Sequence, residues 1–276
     1  MNWVHRAGAG ETARAMRFLE SRGLVAPRAS LDRRLGAPPR SSVLYGDYDF
    51  LYFLSRAAEE QISDSVLADL RTHGLVGPRV SYDKHRYLEL RERIKMSFVV
   101  PGTALSPAME RLLFMLASAR RPRNVLGLGT FCGYTLAWTA GALRRTGGSS
   151  PKVRGIDLSL PMVGLARRNY RALGLPALVT LPCMDARVFA KRTRERFDYL
   201  YLDLDDPTTG KGIYLDLIEP LYEKLAPGAW VLAHDTTFPG FQKQLEGYFR
   251  FVRDPARFRA SVSFPVDCYG LELSVK

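Results

Sequence analysis

Aspartates stand at the ends of three predicted strands, where their side chains could bind a ligand. Asp157 ends the second strand, Asp185 follows the third, and Asp203 ends the fourth, with Asp205 and Asp206 directly behind it. The carboxyl ends of parallel strands share one edge of a sheet, which is where such folds bind ligands. At that edge Asp157 can accept both hydroxyls of a ribose, and Asp185 can accept the exocyclic amine of an adenine. The alternative is that Asp157 and Asp185 only cap helices.

A glycine-rich loop follows the first predicted strand. It carries glycines at GxGxxxG spacing in the run Val125-Leu126-Gly127-Leu128-Gly129-Thr130-Phe131-Cys132-Gly133-Tyr134-Thr135. Glycine lets the backbone turn sharply and approach a ligand, and the free amides of the following helix suit an anionic group. Nicotinamide and flavin enzymes use similar turns, so the loop alone leaves the cofactor open.

Short β-rich runs alternate with longer helical stretches from Val125 onward, which is the pattern of a parallel sheet covered by helices. The predicted strands are 124–128, 153–157, 178–182, 199–203, 230–234, 249–253 and 270–275. The predicted helices are 106–119, 133–145, 161–173, 212–225 and 240–248. Ser106 is the expected N-cap of the first of these helices, with Pro107 in its first turn.

The first hundred residues have a different character. Helices are predicted at 11–22 and 50–71, separated by a loop at 26–42 that is rich in proline and arginine. The segment 45–53 is unusually aromatic. It could form a lid or wall over a substrate, or bury its rings in the core or at a contact between subunits.

Composition narrows the class of protein. The chain of 276 residues is 46% hydrophobic, and its apolar runs fall short of the ~20 residues that a membrane-spanning helix needs. Because the start also lacks a secretory pattern, we expect a soluble cytoplasmic protein. The three cysteines form no CxxC pair, which indicates reduced thiols. The net charge of +12 permits attraction to nucleic acid or to anionic substrates without requiring either.

The run 128–135 resembles the cofactor motif of catechol O-methyltransferase and of the caffeoyl-CoA O-methyltransferase group. Further matches in the order and spacing of that family are Ser106-Pro107, Gly155-Ile156-Asp157, Phe197-Asp198-Tyr199, Leu202-Asp203-Leu204-Asp205, Leu225-Ala226-Pro227-Gly228 and Ala233-His234-Asp235-Thr236. The resemblance covers roughly 95–276. It implies a class I S-adenosylmethionine-dependent methyltransferase with an α/β, Rossmann-like sheet of seven mostly parallel strands, the last antiparallel, and helices on both faces.

The resemblance also implies a site for S-adenosylmethionine. It places Gly129, Tyr134 and Thr135 near the methionine part, Asp157 at the ribose and Asp185 at the adenine. The other residues predicted to bind the cofactor are Gly127, Thr130, Phe131, Gly133, Leu158, Ala186 and Asp203.

Two departures from the family concern the cofactor and a metal. Family members usually carry an acid at the position of Gly127, so one customary polar contact is missing. In the family an Asp at the position of Asp203 and an Asp-Asn pair after the fifth strand hold a divalent metal. The match places His234 and Asp235 on that pair. Carboxylates suit Mg²⁺, whereas histidine points to manganese, iron or zinc, or to a site without metal.

The general base is a third departure. The lysine that the family places just after the metal-binding Asp is missing here. Lys211 lies a few residues further on between two glycines, and it is either a base or an exposed loop charge. We favour His234 or Asp203 as the base; the alternative for His234 is an imidazole satisfied by backbone groups.

The prediction is methyl transfer to a small-molecule acceptor, with an oxygen nucleophile in specialised metabolism favoured. We expect 101–276 to form the methyltransferase domain. Residues 1–100 would be a helical extension that closes over the substrate or joins subunits of a homo-oligomer. The alternatives are N- or C-methylation, a non-methylating binder of the cofactor, a nicotinamide-dependent oxidoreductase, and a nucleic-acid methyltransferase. The last is disfavoured because Asp206-Pro207-Thr208-Thr209 lacks the second proline and the aromatic that stack a flipped base.

Overall fold

A computed structural model describes residues 56–101, 105–144, 151–175, 177–267 and 269–276. The expectations for 11–22, 26–42 and the whole aromatic segment 45–53, and the first residues of the predicted helix 50–71, therefore lie outside the described residues. Among the helices that are described, none combines the length and apolar character needed to cross a membrane.

Helices and strands alternate along most of the described chain. Three helices come first: α1 (Arg56–Thr72), α2 (Lys84–Ser97) and α3 (Pro107–Arg120). The sheet and its helices follow as β1 (Asn124–Leu128), α4 (Tyr134–Leu143), β2 (Lys152–Ile156), α5 (Leu160–Leu173), β3 (Val179–Thr180), α6 (Ala186–Arg192), β4 (Phe197–Leu202), α7 (Ile213–Tyr222), β5 (Leu225–His234), a 3₁₀ turn (Pro239–Phe241), α8 (Gln242–Val252), β6 (Ala260–Phe264) and β7 (Leu271–Val275).

The seven strands form one sheet in the order β3-β2-β1-β4-β5-β7-β6. Strands β1 to β5 pair in parallel, and β7 runs antiparallel to both β5 and β6. Along β1 the side chains alternate between two cores, with Val125 on one face and Leu126 and Leu128 on the other. The expected α/β sheet with helices on both faces is confirmed. Strands β2 and β3 are added on one side of β1, and β4 and β5 on the other. A cleft opens at the carboxyl edge between β1 and β4, where the order of strands reverses.

The sixth strand is misplaced in the prediction. Residues 249–253 continue helix α8 instead, while β6 lies at Ala260–Phe264. Alternating aromatics near the end of α8 are typical of a strand, but Leu245, Tyr248 and Val252 are buried at helical spacing. Helix α2 was not predicted, and α6 was predicted only as a helix without bounds that Asp185 could cap.

The first two described helices share a core with the sheet. Leu67 and Leu70 of α1, with Tyr87 and Ile94 of α2, belong to the same cluster of buried side chains as Leu112 of α3. Residues 56–100 are thus packed onto the remainder of the described chain. The division at residue 100 stays a prediction.

Candidate functional site

A cleft of about 510 Å³ opens at the carboxyl ends of the parallel strands. The residues predicted to bind the cofactor line it, except for Gly127 and Gly133. Gly127 lies deeper in β1, where Leu136 covers it, and Gly133 is the N-cap of α4. Sequence analysis missed several lining residues of the cleft, among them Met184, Arg187, Phe241 and Tyr269.

The glycine-rich loop bends tightly between β1 and α4. Gly129 has a φ of +83°, and a Cβ atom at this position would come 1.8 Å from the carbonyl oxygen of Asp203. Only glycine fits there, because both the left-handed backbone and the close approach exclude a side chain. Phe131 is also left-handed, with a φ of 47°. Strained backbone of this kind persists where surrounding contacts hold it, commonly at binding sites.

Asp157 ties the loop to the second strand. Its Oδ2 accepts a hydrogen bond of 2.7 Å from the amide of Phe131, and its Oδ1 accepts one of 2.8 Å from the amide of Ser159. Each carboxylate oxygen has a further lone pair that can accept a ligand hydroxyl. The side chain is only half-buried and lines the cleft. Its geometry suits both fixing the loop and receiving a diol.

Asp185 caps helix α6. Its Oδ1 accepts a hydrogen bond of 2.9 Å from the amide of Val188, so the helix-capping interpretation is confirmed for this oxygen. The wall beside it is apolar. Leu158, 70% exposed, and Phe131, 40% exposed, both line the cleft together with Met184. An open apolar wall next to a carboxylate matches the needs of a flat heteroaromatic ring with an amine.

A cluster of charged side chains lies at the other end of the cleft. Lys211 Nζ is 2.5 Å from Asp235 Oδ2, 3.3 Å from Asp205 Oδ2 and 3.8 Å from Asp203 Oδ1. His234 Nδ1 lies 3.1 Å from Asp235 Oδ1 and 3.5 Å from Asp203 Oδ1. Residues predicted separately as base and as metal ligands thus meet at one place.

Lys211 is not an exposed loop charge, and that interpretation of the sequence was wrong. Its side chain is 1% exposed. The backbone of Asp206 and Gly210 forms a two-way hydrogen-bonded bridge, which folds the loop back so that Lys211 returns to the sheet edge. The Lys211 ammonium also donates to the carbonyl of Leu204 and lies over the ring of Phe241.

Strand β5 ends at His234, and Asp235 follows it in an unusual conformation. Asp235 has a φ of 64°, which turns the chain sharply just after the buried His234. Within the described chain, Nδ1 of His234 has only its ion-pair contacts with Asp235 and Asp203, and Nε2 has no hydrogen-bond partner. Buried polar atoms are almost always satisfied in folded proteins. The imidazole is therefore available to a ligand in the cleft, and the backbone-satisfied alternative does not apply to its side chain.

The charges in the cluster reinforce one another. Burial opposes a charge on His234, but Asp235 and Asp203 outweigh it and raise the pKa of His234 well above its ordinary value. Burial likewise opposes the ammonium of Lys211, and the carboxylates of Asp235, Asp203 and Asp205 raise its pKa. Burial disfavours ionisation of Asp235, yet His234 and Lys211 hold its pKa well below the ordinary value. The cluster is consequently a network of ions.

Comparison with known proteins matches residues 126–236 to the family model described as a methyltransferase domain. A catechol O-methyltransferase from Niastella koreensis is 24% identical over 145 residues, which cover 51% of this chain and 62% of that protein. The chain thus matches less than two thirds of the length of this relative.

Solved structures share the fold. The O-methyltransferase from Bacillus cereus, in complex with S-adenosylhomocysteine, superposes with a TM-score of 0.54 at 18% identity, covering 79% of this chain and 96% of that one. A methyltransferase from Podospora anserina bound to S-adenosylhomocysteine gives a TM-score of 0.55 at 17% identity, covering 78% and 95%.

Proposed function

We propose that the chain methylates an oxygen of a small-molecule acceptor. The premise is that it carries a class I S-adenosylmethionine-dependent methyltransferase domain resembling the catechol and caffeoyl-CoA O-methyltransferases. One observation carries the proposal. The glycine loop and Asp157 form one end of a cleft whose other end is lined by Asp203 and His234, with Lys211 buried behind these two side chains. A cofactor and an acceptor bound together in this cleft would therefore contact both the cofactor-binding groups and the groups that can transfer a proton.

The residues at the loop end fit S-adenosylmethionine. This cofactor supplies a methyl group already activated by a positive sulfur. Gly133 offers no side chain to cap α4, so the helix N-terminus is open to a carboxylate. Asp157 retains lone pairs for a ribose, and the wall formed by Leu158 and Met184 accepts an adenine, with Asp185 beside it.

The charged cluster acts on the acceptor. Methyl transfer needs the nucleophile held in line at near-contact distance, and a hydroxyl must also lose its proton. Asp235 and Asp203 favour the charged form of His234, which lines the cleft and can stabilise an acceptor oxyanion there, while the buried ammonium of Lys211 offsets the charge of the carboxylates behind it. Asp203 lines the cleft and is the carboxylate that we assign to receive the proton.

A divalent metal at Asp203, His234 and Asp235 remains a prediction that the geometry disfavours. One ligand atom from each lies within 4.8 Å of the others. However, Lys211 Nζ stands 2.5 Å from Asp235 Oδ2 and 3.8 Å from Asp203 Oδ1, so a dication would bind directly against an ammonium. These residues do not fit a resident metal as arranged, and we assign no step to one.

The wider setting follows from the resemblance alone. We infer a cytoplasmic homo-oligomer in specialised metabolism, in which residues 1–100 help to select the acceptor or join the subunits. Sedimentation at micromolar concentration tests the assembly, and a monomer would count against it.

The decisive experiment is a methyl-transfer assay with a panel of phenols, amines and carboxylic acids. It is run as purified, with EDTA, and with added Mg²⁺ or Mn²⁺. We expect turnover of a phenol or enol that survives EDTA. Methylation of amines alone would remove the oxygen assignment, and no transfer to any acceptor together with no binding of S-adenosylhomocysteine would remove the function.

A further inference from the structure

The cation at the acceptor end of the cleft is part of the chain itself. We propose that the Lys211 ammonium replaces a divalent metal, neutralising Asp203 and Asp235, and that its removal turns these carboxylates and His234 into a metal site. The idea that Lys211 takes the place of a metal in catalysis rests on the proposed methyl transfer. The idea that its removal creates a metal site does not depend on that activity.

The position of the ammonium is the first support. Its nitrogen contacts carboxylates from two strand ends, Asp203 after β4 and Asp235 after β5, and it also reaches Asp205. It therefore lies among oxygens that would otherwise be ligands of a hard cation, since carboxylates are what such ions prefer. The ammonium of Lys211 thus balances the negative charge of these carboxylates as a metal cation would, but it does so through ion pairs and not through coordination bonds.

The burial of the lysine is the second support. An ammonium taken out of water is costly unless it is paired and hydrogen-bonded. Lys211 is 1% exposed, donates to the carbonyl of Leu204, and has its backbone amide fixed by Gln244 Oε1 at 2.7 Å. The rings of Tyr214 and Phe241 lie 5.4 Å and 5.5 Å from its nitrogen. These contacts hold the lysine in place, so it is not a surface group that swings aside when a metal arrives.

The imidazole of His234 is the third support. Its Nδ1 faces the same two carboxylates as Lys211, and its buried Nε2 has no hydrogen-bond partner among the described residues. Once the ammonium is gone, two carboxylates and an imidazole remain around the vacated position. A set of one nitrogen and two oxygens suits Mn²⁺ or Zn²⁺.

The test compares metal binding by the wild-type chain and by Lys211→Met, which keeps an unbranched side chain one atom shorter and removes its charge. Mn²⁺ is titrated into each protein and the free ion is followed by electron paramagnetic resonance. We expect the variant to bind close to one Mn²⁺ per chain at least about tenfold more tightly than the wild type. Its melting temperature should rise with Mn²⁺, whereas that of the wild type should not. Lys243→Met, at an exposed lysine on α8, is the matched control and should behave as the wild type.

A double variant covers the case in which Lys211→Met folds poorly. Lys211→Met with Asp235→Asn removes one negative charge together with the cation. It should melt at a higher temperature than the single variant and lose the gain in Mn²⁺ affinity. Tight stoichiometric Mn²⁺ binding by the wild type would overturn the proposal. So would a double variant no more stable than the single one, or a well-folded Lys211→Met that binds no Mn²⁺. Since none of these readouts is methyl transfer, failure of the proposed function leaves them interpretable.

Discussion

Asp157 illustrates how one side chain can serve both the fold and a ligand. Its two oxygens accept hydrogen bonds from the backbone amides of Phe131 and Ser159, which fixes the glycine loop against the end of β2. Asp198 makes the same pair of contacts at the opposite edge of the sheet, where it accepts the amides of Arg123 and Asn124. The two aspartates differ in that Asp157 lines the cleft. Comparing a single substitution at each aspartate therefore distinguishes a direct contact with the cofactor from support of the backbone.

Asp157→Ala should weaken binding of S-adenosylhomocysteine by about 1–3 kcal/mol, because hydrogen bonds to a charged acceptor are lost. Titration calorimetry measures this change directly. Asp198→Ala loses comparable backbone contacts away from the cleft and should leave the affinity within about 0.5 kcal/mol of the wild type. Equal losses in the two variants would mean that Asp157 acts only through the fold.

His234→Asn should lower kcat by about 10²-fold while cofactor affinity is preserved. The reason is that His234 lines the cleft beside Asp203 and, under the proposed function, its charge would stabilise the developing oxyanion. Steady-state rates are measured beside the affinity for S-adenosylhomocysteine. A variant with wild-type kcat would take His234 out of the reaction.

At the scale of elements, buried polar contacts link four helices to the cleft. Arg91 of α2 pairs with Glu59 of α1 at 2.8 Å and lies 3.7 Å from Glu110 of α3. Glu110 in turn accepts a hydrogen bond of 2.5 Å from the hydroxyl of Tyr134, the first residue of α4 and part of the cleft lining. Helices before the sheet thereby position a side chain of the candidate cofactor site.

Glu110 makes stability depend on pH. Burial raises its pKa from 4.5 to about 7, against the opposing effects of Tyr134 and Arg91. Between these values the folded chain keeps a proton that the unfolded chain has released. The free energy of unfolding should therefore fall as the pH rises from about 4.5 to about 7, by at most about 3 kcal/mol from this group, and then level off. Urea unfolding across this range measures the effect. Glu110→Gln should lack this part of the decline, and parallel profiles for the two proteins would refute the assignment.

The short β-rich runs between helical stretches predicted the parallel strands, and the aspartates at or just after the ends of the second, third and fourth strands predicted the cleft. The sequence could not decide whether Lys211 is a base or an exposed loop charge, because the burial of this residue depends on a loop that closes between Asp206 and Gly210. It also missed α2, in which few apolar residues form the buried face. Long-range packing decides both features, and local pattern carries no signal of it.

At the scale of the whole molecule, some of the basic residues behind the net charge of +12 make hydrogen bonds that hold helices together. Arg86 donates to the carbonyls of Gly141 and Arg144 at the end of α4, and Arg93 donates to that of Leu173 at the end of α5. Helix carboxyl ends attract cations, so these arginines of α2 fasten it to the sheet-covering helices. The positive charge is thus partly structural, which weakens the argument from charge toward a nucleic-acid partner.

Because α1 and α2 share a core with α3 to α5, the described residues should unfold as one unit. A ligand in the cleft then stabilises helices that it does not touch. At a hundred times its dissociation constant, S-adenosylhomocysteine should slow amide exchange in α1 and in the sheet alike, by about 2.7 kcal/mol where exchange requires global unfolding. Hydrogen-exchange mass spectrometry measures this, with NAD as the control ligand that should have no effect. Protection of the sheet without protection of α1 would show that the N-terminal helices open on their own, and it would support the predicted boundary near residue 100.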